Sequence, residues 1–197
     1  MLQHLRPAFV SVILFTLLLG LAYPLAVTGI AQIAFPRQAS GSLIREGNRV
    51  IGSALIGQDF SRPEYLHPRP SAAGDGYDAG ASAGSNLGPL NPDLAKRIAA
   101  STASVRSENP NAGGPVPADG VTASASGLDG DISPAYAFYQ VGRIAAARGV
   151  SATEVRRVIA DRVRPAFLGF IGQPRVNVLE TNLALDFRFP VRKPSRP

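Results

Sequence analysis

The side chains that could carry acid–base or metal chemistry are few in this chain of 197 residues. Cysteine is absent, and the two histidines are His4 and His67. His4 lies in the N-terminal tail, so His67 is the one candidate general base, with no cysteine or second histidine beside it to complete a zinc site. We therefore predict that the chain has no catalytic, cofactor-binding or metal-binding residues of its own.

Two segments have the spacing of ligand-binding loops but lack the residues that bind. Residues 52–59 place glycines as in a phosphate-binding loop, yet Gln58 and Asp59 stand where that loop needs a lysine and a hydroxyl. Residues 129–140 begin like a calcium loop, but they carry proline at the sixth position and glutamine at the twelfth. Neither segment predicts direct binding of nucleotide or calcium.

The charge pattern argues against a nucleic-acid partner. The net charge is +6, but the basic residues are scattered singly, and those of the C-terminal part fall on or beside predicted helices. No basic run is interleaved with aromatic residues, and no nucleic-acid module signature occurs. We interpret the arginines as solvated helix faces and membrane-side charge.

One apolar run, Ala8 to Phe35, is long enough to anchor the soluble residues to a membrane. It contains no Asp, Glu, Lys, Arg or His, and about 20 apolar residues in a helix cross the ~30 Å hydrocarbon core of a bilayer. We predict an N-terminal tail and transmembrane helix over residues 1–36 and one soluble domain over residues 37–197. A cleaved signal peptide is the alternative, although its apolar core is typically only about 7–15 residues long.

Local charge does not decide the orientation of this span. Before it stands Arg6, and after it stand Arg37, Arg45 and Arg49 against Glu46. A literal count of basic residues would place the soluble domain inside the cell. Long domains, however, translocate largely regardless of charge.

The soluble part shows the patterns of a mixed α/β domain of the α+β kind with long loops. Apolar alternation on both sides of Gly47-Asn48 predicts a hairpin. Start and stop signals predict helices over residues 92–107, over residues 134–148, and from a Ser151/Glu154 capping box onward. Residues 175–179 form a predicted strand, and residues 182–187 fit either a strand or a short helix.

Two long segments, Arg62–Pro92 and Asn109–Asp131, are rich in Gly, Pro, Ser, Asp and Asn and have no helical or strand period. Such composition is typical of disordered linkers. We nevertheless predict that both loops are ordered in a complex with partner proteins, because Asp and Asn side chains can stabilise turns and glycine permits positive φ.

Six motifs follow one another along nearly the whole chain. They are Gly57-Gln58-x-Phe60, YLHPRPSA (residues 65–72), AGSNLG (83–88), VPADGVTASASGLD (116–129), Ile132-Ser133-Pro134 and RVNVLExNxALD (175–186). Together they closely resemble the C subunit of the Kdp potassium-transporting ATPase. The chain departs from that family at Gly130-Asp131, where the family usually has Pro-His, so no role of that histidine is carried over.

The resemblance implies a non-catalytic, single-pass accessory subunit of the high-affinity ATP-driven potassium uptake complex, in a bacterial inner membrane. Its partners would be a potassium-binding, channel-like subunit and a P-type ATPase subunit. The family role usually described is a catalytic chaperone that assists assembly and raises the ATP affinity of the pump subunit. The family's soluble domain lies on the periplasmic side, so ATP and potassium would act through the complex and neither would be a cofactor of this chain.

Within the loops we predict six residues that order the loops or contact a partner: Ser85, Asn86, Asp119, Thr122, Ser124 and Asp129. They lie in the family motifs, and exposed loops on a rigid scaffold commonly carry recognition. The alternative function is a stand-alone, membrane-anchored envelope domain that binds a ligand or acts as a hydrolase.

Overall fold

The computed structural model describes residues 2–191. The chain forms two compact units that divide between Ser53 and Ala54. The predicted domain boundary between residues 36 and 37 stays a prediction. A short helix that begins at Pro36 and the hairpin after it cluster with the N-terminal unit.

The N-terminal unit begins with a helical run, Leu5–Ala34, that is long and apolar enough to cross a membrane. It consists of α1 (Leu5–Leu17), a π-helical turn (Leu18–Ala22) and α2 (Tyr23–Ala34). The π-turn precedes Pro24, whose ring would clash with the carbonyl of Gly20 in a regular α-helix. The apolar side chains of the run are exposed, as expected for a helix surrounded by lipid. The predicted apolar helix is thus confirmed.

A hairpin closes this unit after the short helix α3 (Pro36–Ala39). Strands β1 (Leu43–Glu46) and β2 (Arg49–Ser53) pair antiparallel, with Gly47-Asn48 between them and Gly47 at φ +58°. Glycine adopts that left-handed conformation without steric cost. The predicted hairpin is therefore confirmed.

The C-terminal unit combines helices with a small antiparallel sheet. The helices are α4 (Pro92–Glu108), α5 (Pro134–Tyr139), α6 (Val141–Arg148), α7 (Ala152–Ala160) and α8 (Val178–Arg188). The strands β3 (Asp131–Ile132), β4 (Val163–Arg164) and β5 (Arg175–Asn177) lie in the order β3-β5-β4. Val176 faces both Ile132 and Val163 across the sheet. The mixed helix-and-sheet class predicted from sequence is confirmed.

Helix ends follow the local signals. Asn91 caps α4 through its side chain, and Ser151 and Glu154 form the predicted capping box at α7. The hydrogen bonds from Ser151 lower the pKa of the Glu154 carboxyl. Gly149 at φ +66° ends α6, as predicted.

Two secondary-structure predictions were wrong. The strand predicted over residues 175–179 stops at Asn177, because the Asn177 side chain accepts a hydrogen bond from the Glu180 backbone N–H and starts α8. Residues 182–187, which fit either a strand or a short helix from sequence, belong to this helix. The single helix predicted over residues 134–148 is two helices separated at Gln140, whose side chain bonds the backbone of His67.

The core depends on an irregular segment, residues 63–67, that has no strand partner. Leu66 is fully buried in the core, and its backbone N–H and C=O bond the buried Asn182 amide at 2.7 and 3.0 Å. His67 bonds the buried Gln140 amide in the same two-sided way at 2.7 and 3.1 Å. These two amides substitute for the neighbouring strand that the segment lacks.

We expect Asn182→Ala to lower the free energy of unfolding by about 2–4 kcal/mol, since each buried backbone group left without a partner costs ~1–3 kcal/mol. Chemical denaturation of the full chain in mild detergent, followed by circular dichroism, measures the change. Asn111→Ala is the matched control, because Asn111 is exposed and surface substitutions stay within about 0.5 kcal/mol. Equal effects of the two variants would contradict the role of Asn182.

Candidate functional site

Residues 57–88 and 116–133, which overlap the two glycine-rich segments of the sequence, pack against each other. We call them together the loop platform. Several hydrogen bonds join the two segments. Among them, the Gly57 N–H donates to Leu128 O at 2.7 Å, Ser71 Oγ to Gly127 O at 2.7 Å, and Ser82 Oγ to Ser126 O at 2.9 Å. Because these bonds link residues far apart in sequence, the platform is built by tertiary contacts.

Arg69 is the central side chain of the loop platform. Its Nη1 donates to Asp129 Oδ2 at 3.1 Å, while Nε and Nη2 lie 3.4 Å from the carbonyl oxygens of Thr122 and Ala123. A planar guanidinium reaches three acceptors at once, which a lysine ammonium on a flexible stem does not do in the same geometry. Arg69 thereby fixes residues 122–129 against residues 69–77.

Ser71 and Tyr77 hold the other side of the platform. The Ser71 hydroxyl accepts from the backbone N–H groups of Ala73 and Tyr77 at 3.1 and 2.8 Å. The Tyr77 hydroxyl donates to Arg69 O at 2.5 Å. Burial, with Asp59 and Asp129 nearby, raises the pKa of the Tyr77 phenol, so the phenol stays protonated and keeps this donor.

Close approach of the two segments requires glycine at three positions, one of which is Gly84, where a Cβ would lie 2.9 Å from Ala125 O. A Cβ on Gly57 would lie 2.6 Å from Asp129 O, and one on Gly127 would lie 2.6 Å from the Ala73 nitrogen. Gly127 also has φ +68°, which disfavours any side chain. The platform therefore depends on backbone packed directly against backbone.

The predicted residues Thr122, Ser124 and Asp129 lie together in the second segment. Asp129 bonds Arg69 through one oxygen and the Asp131 N–H through the other, at 3.0 Å. Thr122 Oγ1 donates to Ala118 O at 2.7 Å, and Ser124 is buried. These contacts lie within the platform.

The other three predicted residues occupy separate places. Asp119 accepts from Ser133 N and Oγ at 2.6 and 2.9 Å, at the N-terminus of α5. Ser85 lines a cavity of about 150 Å³ together with Thr122. Asn86 is exposed at φ +52°, a left-handed conformation that asparagine tolerates better than most residues.

A polar cavity of about 410 Å³ lies beside Arg69 and is lined by Asp59, His67, Glu108 and Tyr136 among others. The His67 ring contacts three structural partners. Its Nδ1 lies 3.0 Å from Glu108 Oε2, and its Nε2 lies 3.0 Å from Arg62 O and 3.2 Å from Arg143 Nη1. Burial raises the pKa of Tyr136. Within residues 2–191, no three His, Asp or Glu side chains lie close enough to hold a metal ion.

One serine stands in the spacing of a hydrolase nucleophile. Gly80-Ala81-Ser82-Ala83-Gly84 fits the pattern Gly-x-Ser-x-Gly, which in hydrolases forms a sharp turn between a strand and a helix. Here Ser82 follows a short 3₁₀ turn, and its hydroxyl donates to Ser126 O. That hydroxyl therefore stabilises the platform by bonding a carbonyl oxygen, whereas the serine of a hydrolase bonds a histidine base.

Sequence reasoning did not single out Arg69, Ser71 or Tyr77, although the first two lie in a quoted motif. The available signal was Pro68-Arg69-Pro70, since two prolines restrict the backbone around a charged side chain. The target of that side chain lies 53 to 60 residues away along the chain, and local pattern gives no information about it.

Comparison with known proteins gives matches along almost the whole chain. A family model described as "K+-transporting ATPase, c chain" matches residues 5–187. A relative from Beijerinckia indica subsp. indica, named potassium-transporting ATPase KdpC subunit, is 66% identical over 197 residues, 100% of both chains. Relatives of the same name from Caulobacter vibrioides and Myxococcus xanthus are 63% and 55% identical, over 96% and 95% of this chain and 96% and 88% of theirs.

We expect Arg69→Lys to speed backbone hydrogen exchange in residues 121–129 by about tenfold, the equivalent of ~1.4 kcal/mol of local opening free energy. The lysine keeps the positive charge but loses the fork that reaches Thr122 and Ala123. Arg106→Lys on the exposed face of α4 is the matched control and should leave this exchange unchanged. Unchanged exchange in Arg69→Lys would contradict the central role of Arg69.

Proposed function

Because this chain belongs to the family of the K+-transporting ATPase c chain, we propose that it is a non-catalytic accessory subunit that assists assembly of the potassium uptake complex and raises its activity. The resemblance drawn from the six motifs is confirmed, and the full-length match is the observation that carries the proposal. The single N-terminal apolar helix fits a single-pass subunit of a membrane transport complex.

The loop platform is the surface that we propose for contact with the partner subunits. These partners are a potassium-binding, channel-like subunit and a P-type ATPase subunit. Supporting this assignment, the platform carries four of the six family motifs in full and two residues of a fifth, and its loops are held by Arg69, Ser71 and Tyr77. A loop ordered before binding loses less conformational entropy on association than a disordered one.

We propose that any gain in ATP affinity of the pump is indirect. Gly57 lies against the carbonyl of Asp129, so this part of the phosphate-loop-like segment offers no open cradle for an anion. Binding of this chain to its partners would then have to favour the ATP-binding state of the pump subunit. Such an effect is a coupling free energy between separate sites, and ATP would raise the affinity for this chain by the same factor.

Changing Asp119 and Asp129 together to alanine removes the carboxylates that bond Ser133 and Arg69. We expect the captured complex, or its potassium-stimulated ATP hydrolysis, to fall by about tenfold, the equivalent of ~1.4 kcal/mol. Affinity purification of the complex in mild detergent, followed by an ATPase assay, measures both quantities.

The control for this experiment is Asp93→Ala combined with Asp161→Ala, which removes the same charge from exposed positions outside the platform. The control pair should assemble and turn over normally. Normal assembly and turnover in the Asp119/Asp129 pair would overturn the proposed role of the platform. Failure of the unsubstituted chain to capture any large membrane partner would instead overturn the accessory-subunit proposal itself.

We propose that the N-terminus is cytoplasmic and that the residues after the span are periplasmic, in a bacterial inner membrane. Alkaline phosphatase fused after Pro197 should be active, because that enzyme works only outside the cytoplasm. β-Galactosidase fused at the same position should be inactive. The opposite pair of activities would reverse the orientation, in agreement with the basic residues that follow the span.

A further inference from the structure

The connection between β4 and β5 exposes an uncharged apolar turn, which we call the apolar tip, residues 165–174 (PAFLGFIGQP). Phe167, Leu168, Phe170 and Ile171 are 67%, 69%, 77% and 50% exposed. Four large apolar side chains at one tight turn form a contiguous apolar surface, in contrast to the isolated exposed apolar residues that are normal on proteins.

The backbone of the apolar tip satisfies several of its own polar groups. Phe167 and Ile171 exchange two hydrogen bonds of 2.9 Å, and Gly169 and Phe170 donate to Ala166 and Phe167 at 3.0 and 3.3 Å. Unsatisfied backbone groups exclude most loops from the hydrocarbon region. These hydrogen bonds therefore remove part of the free-energy cost of moving the backbone of the apolar tip out of water.

Leu168 has φ +53°, a left-handed conformation that disfavours a leucine. The exposed side chain gains little burial within its own unit to offset this strain. Glycine or asparagine would adopt the conformation more readily. A leucine here contributes little to folding, but it does contribute apolar surface at the end of the turn.

Arginines flank the apolar tip on both sides. Arg162 and Arg164 precede it and Arg175 follows it. Arg164 pairs with Glu180 and Arg175 with Asp131 at 3.0 Å, but the two arginine side chains keep 48% and 47% of their surface exposed. An apolar turn with arginines at its base is the pattern of segments that enter the membrane interface, where the apolar groups reach the acyl chains and the arginines stay at anionic headgroups.

We propose that the apolar tip inserts into the interface of the bilayer that holds the chain, as a second membrane contact besides the apolar helix. The apolar helix confines the rest of the chain near a bilayer, so lipid is the apolar phase at hand. The inference requires that helix to span a membrane and does not depend on the role in potassium transport.

The chain contains no tryptophan, so one introduced tryptophan reports a single site. Phe170→Trp places it in the apolar tip, and Phe187→Trp is the matched control at another exposed phenylalanine, 93% exposed. Each full chain is reconstituted in vesicles of phosphatidylcholine and phosphatidylglycerol, with and without phosphatidylcholine brominated on its acyl chains.

We expect brominated lipid to reduce the fluorescence of the Phe170→Trp chain by roughly half, as for a residue ~5–10 Å inside the interface, and to leave the Phe187→Trp chain unquenched. Equal quenching of the two chains would overturn the proposal. A blue-shifted but unquenched signal at position 170 would also overturn it, because another protein surface, such as a second copy, would then cover the apolar tip.

Omission of phosphatidylglycerol tests the arginines. Weaker quenching of the Phe170→Trp chain in pure phosphatidylcholine supports their contact with anionic headgroups. Equal quenching in both lipid mixtures would overturn that part of the proposal.

Discussion

Residues 63–67 cross the core of the C-terminal unit without a strand partner, and side chains from elsewhere in the chain satisfy their backbone. Arg143 bonds the carbonyls of Pro63 and Tyr65 at 2.7 and 3.0 Å, and the fully buried Arg148 side chain bonds that of Glu64 at 2.8 Å. The side-chain amide of Asn182 bonds the N–H and C=O of Leu66, and that of Gln140 bonds the N–H and C=O of His67. A buried backbone group without a partner costs ~1–3 kcal/mol. The helices that carry or flank these side chains must therefore lie where the side chains can reach the backbone of residues 63–67.

The positive charges of Arg143 and Arg148 are stabilised by the oxygen atoms around them. Burial lowers the pKa of the Arg143 guanidinium, and the nearby Glu108 carboxylate opposes this shift. Arg148 pairs with Asp186 at 2.9 Å and bonds Phe189 O at 2.8 Å. Buried cations are stable only when carbonyls and carboxylates surround them, and the irregular segment supplies several of these oxygens.

The irregular segment lies within the first part of the loop platform and leads directly to Arg69. His67 is held by Gln140, and Arg69, two residues later, reaches Asp129 and the carbonyls of residues 122 and 123. The same rigid helices therefore position the core segment and the loops that carry the family motifs. For an accessory subunit of the proposed kind, a preformed surface is the structural property that binding requires.

The amino-acid sequence by itself determined the features that depend on neighbours along the chain. These are the apolar helix, the hairpin around Gly47-Asn48, the caps at Asn91, Ser133, Ser151 and Gly149, and the family motifs. Each rests on hydropathy, on backbone conformation or on hydrogen bonds within a few residues, so a local pattern is sufficient to predict it.

Only the tertiary structure decided how the long-range contacts are made. Gln140 interrupts a helix because its side chain bonds a residue 73 positions away, and Arg69 is central because its acceptors lie 53 to 60 positions away. Sequence reasoning named Asp129 and Thr122 but missed the arginine that joins them. A side chain's type and local spacing restrict what it can bond, but the partner is set by which distant segment the packed core brings within ~3 Å.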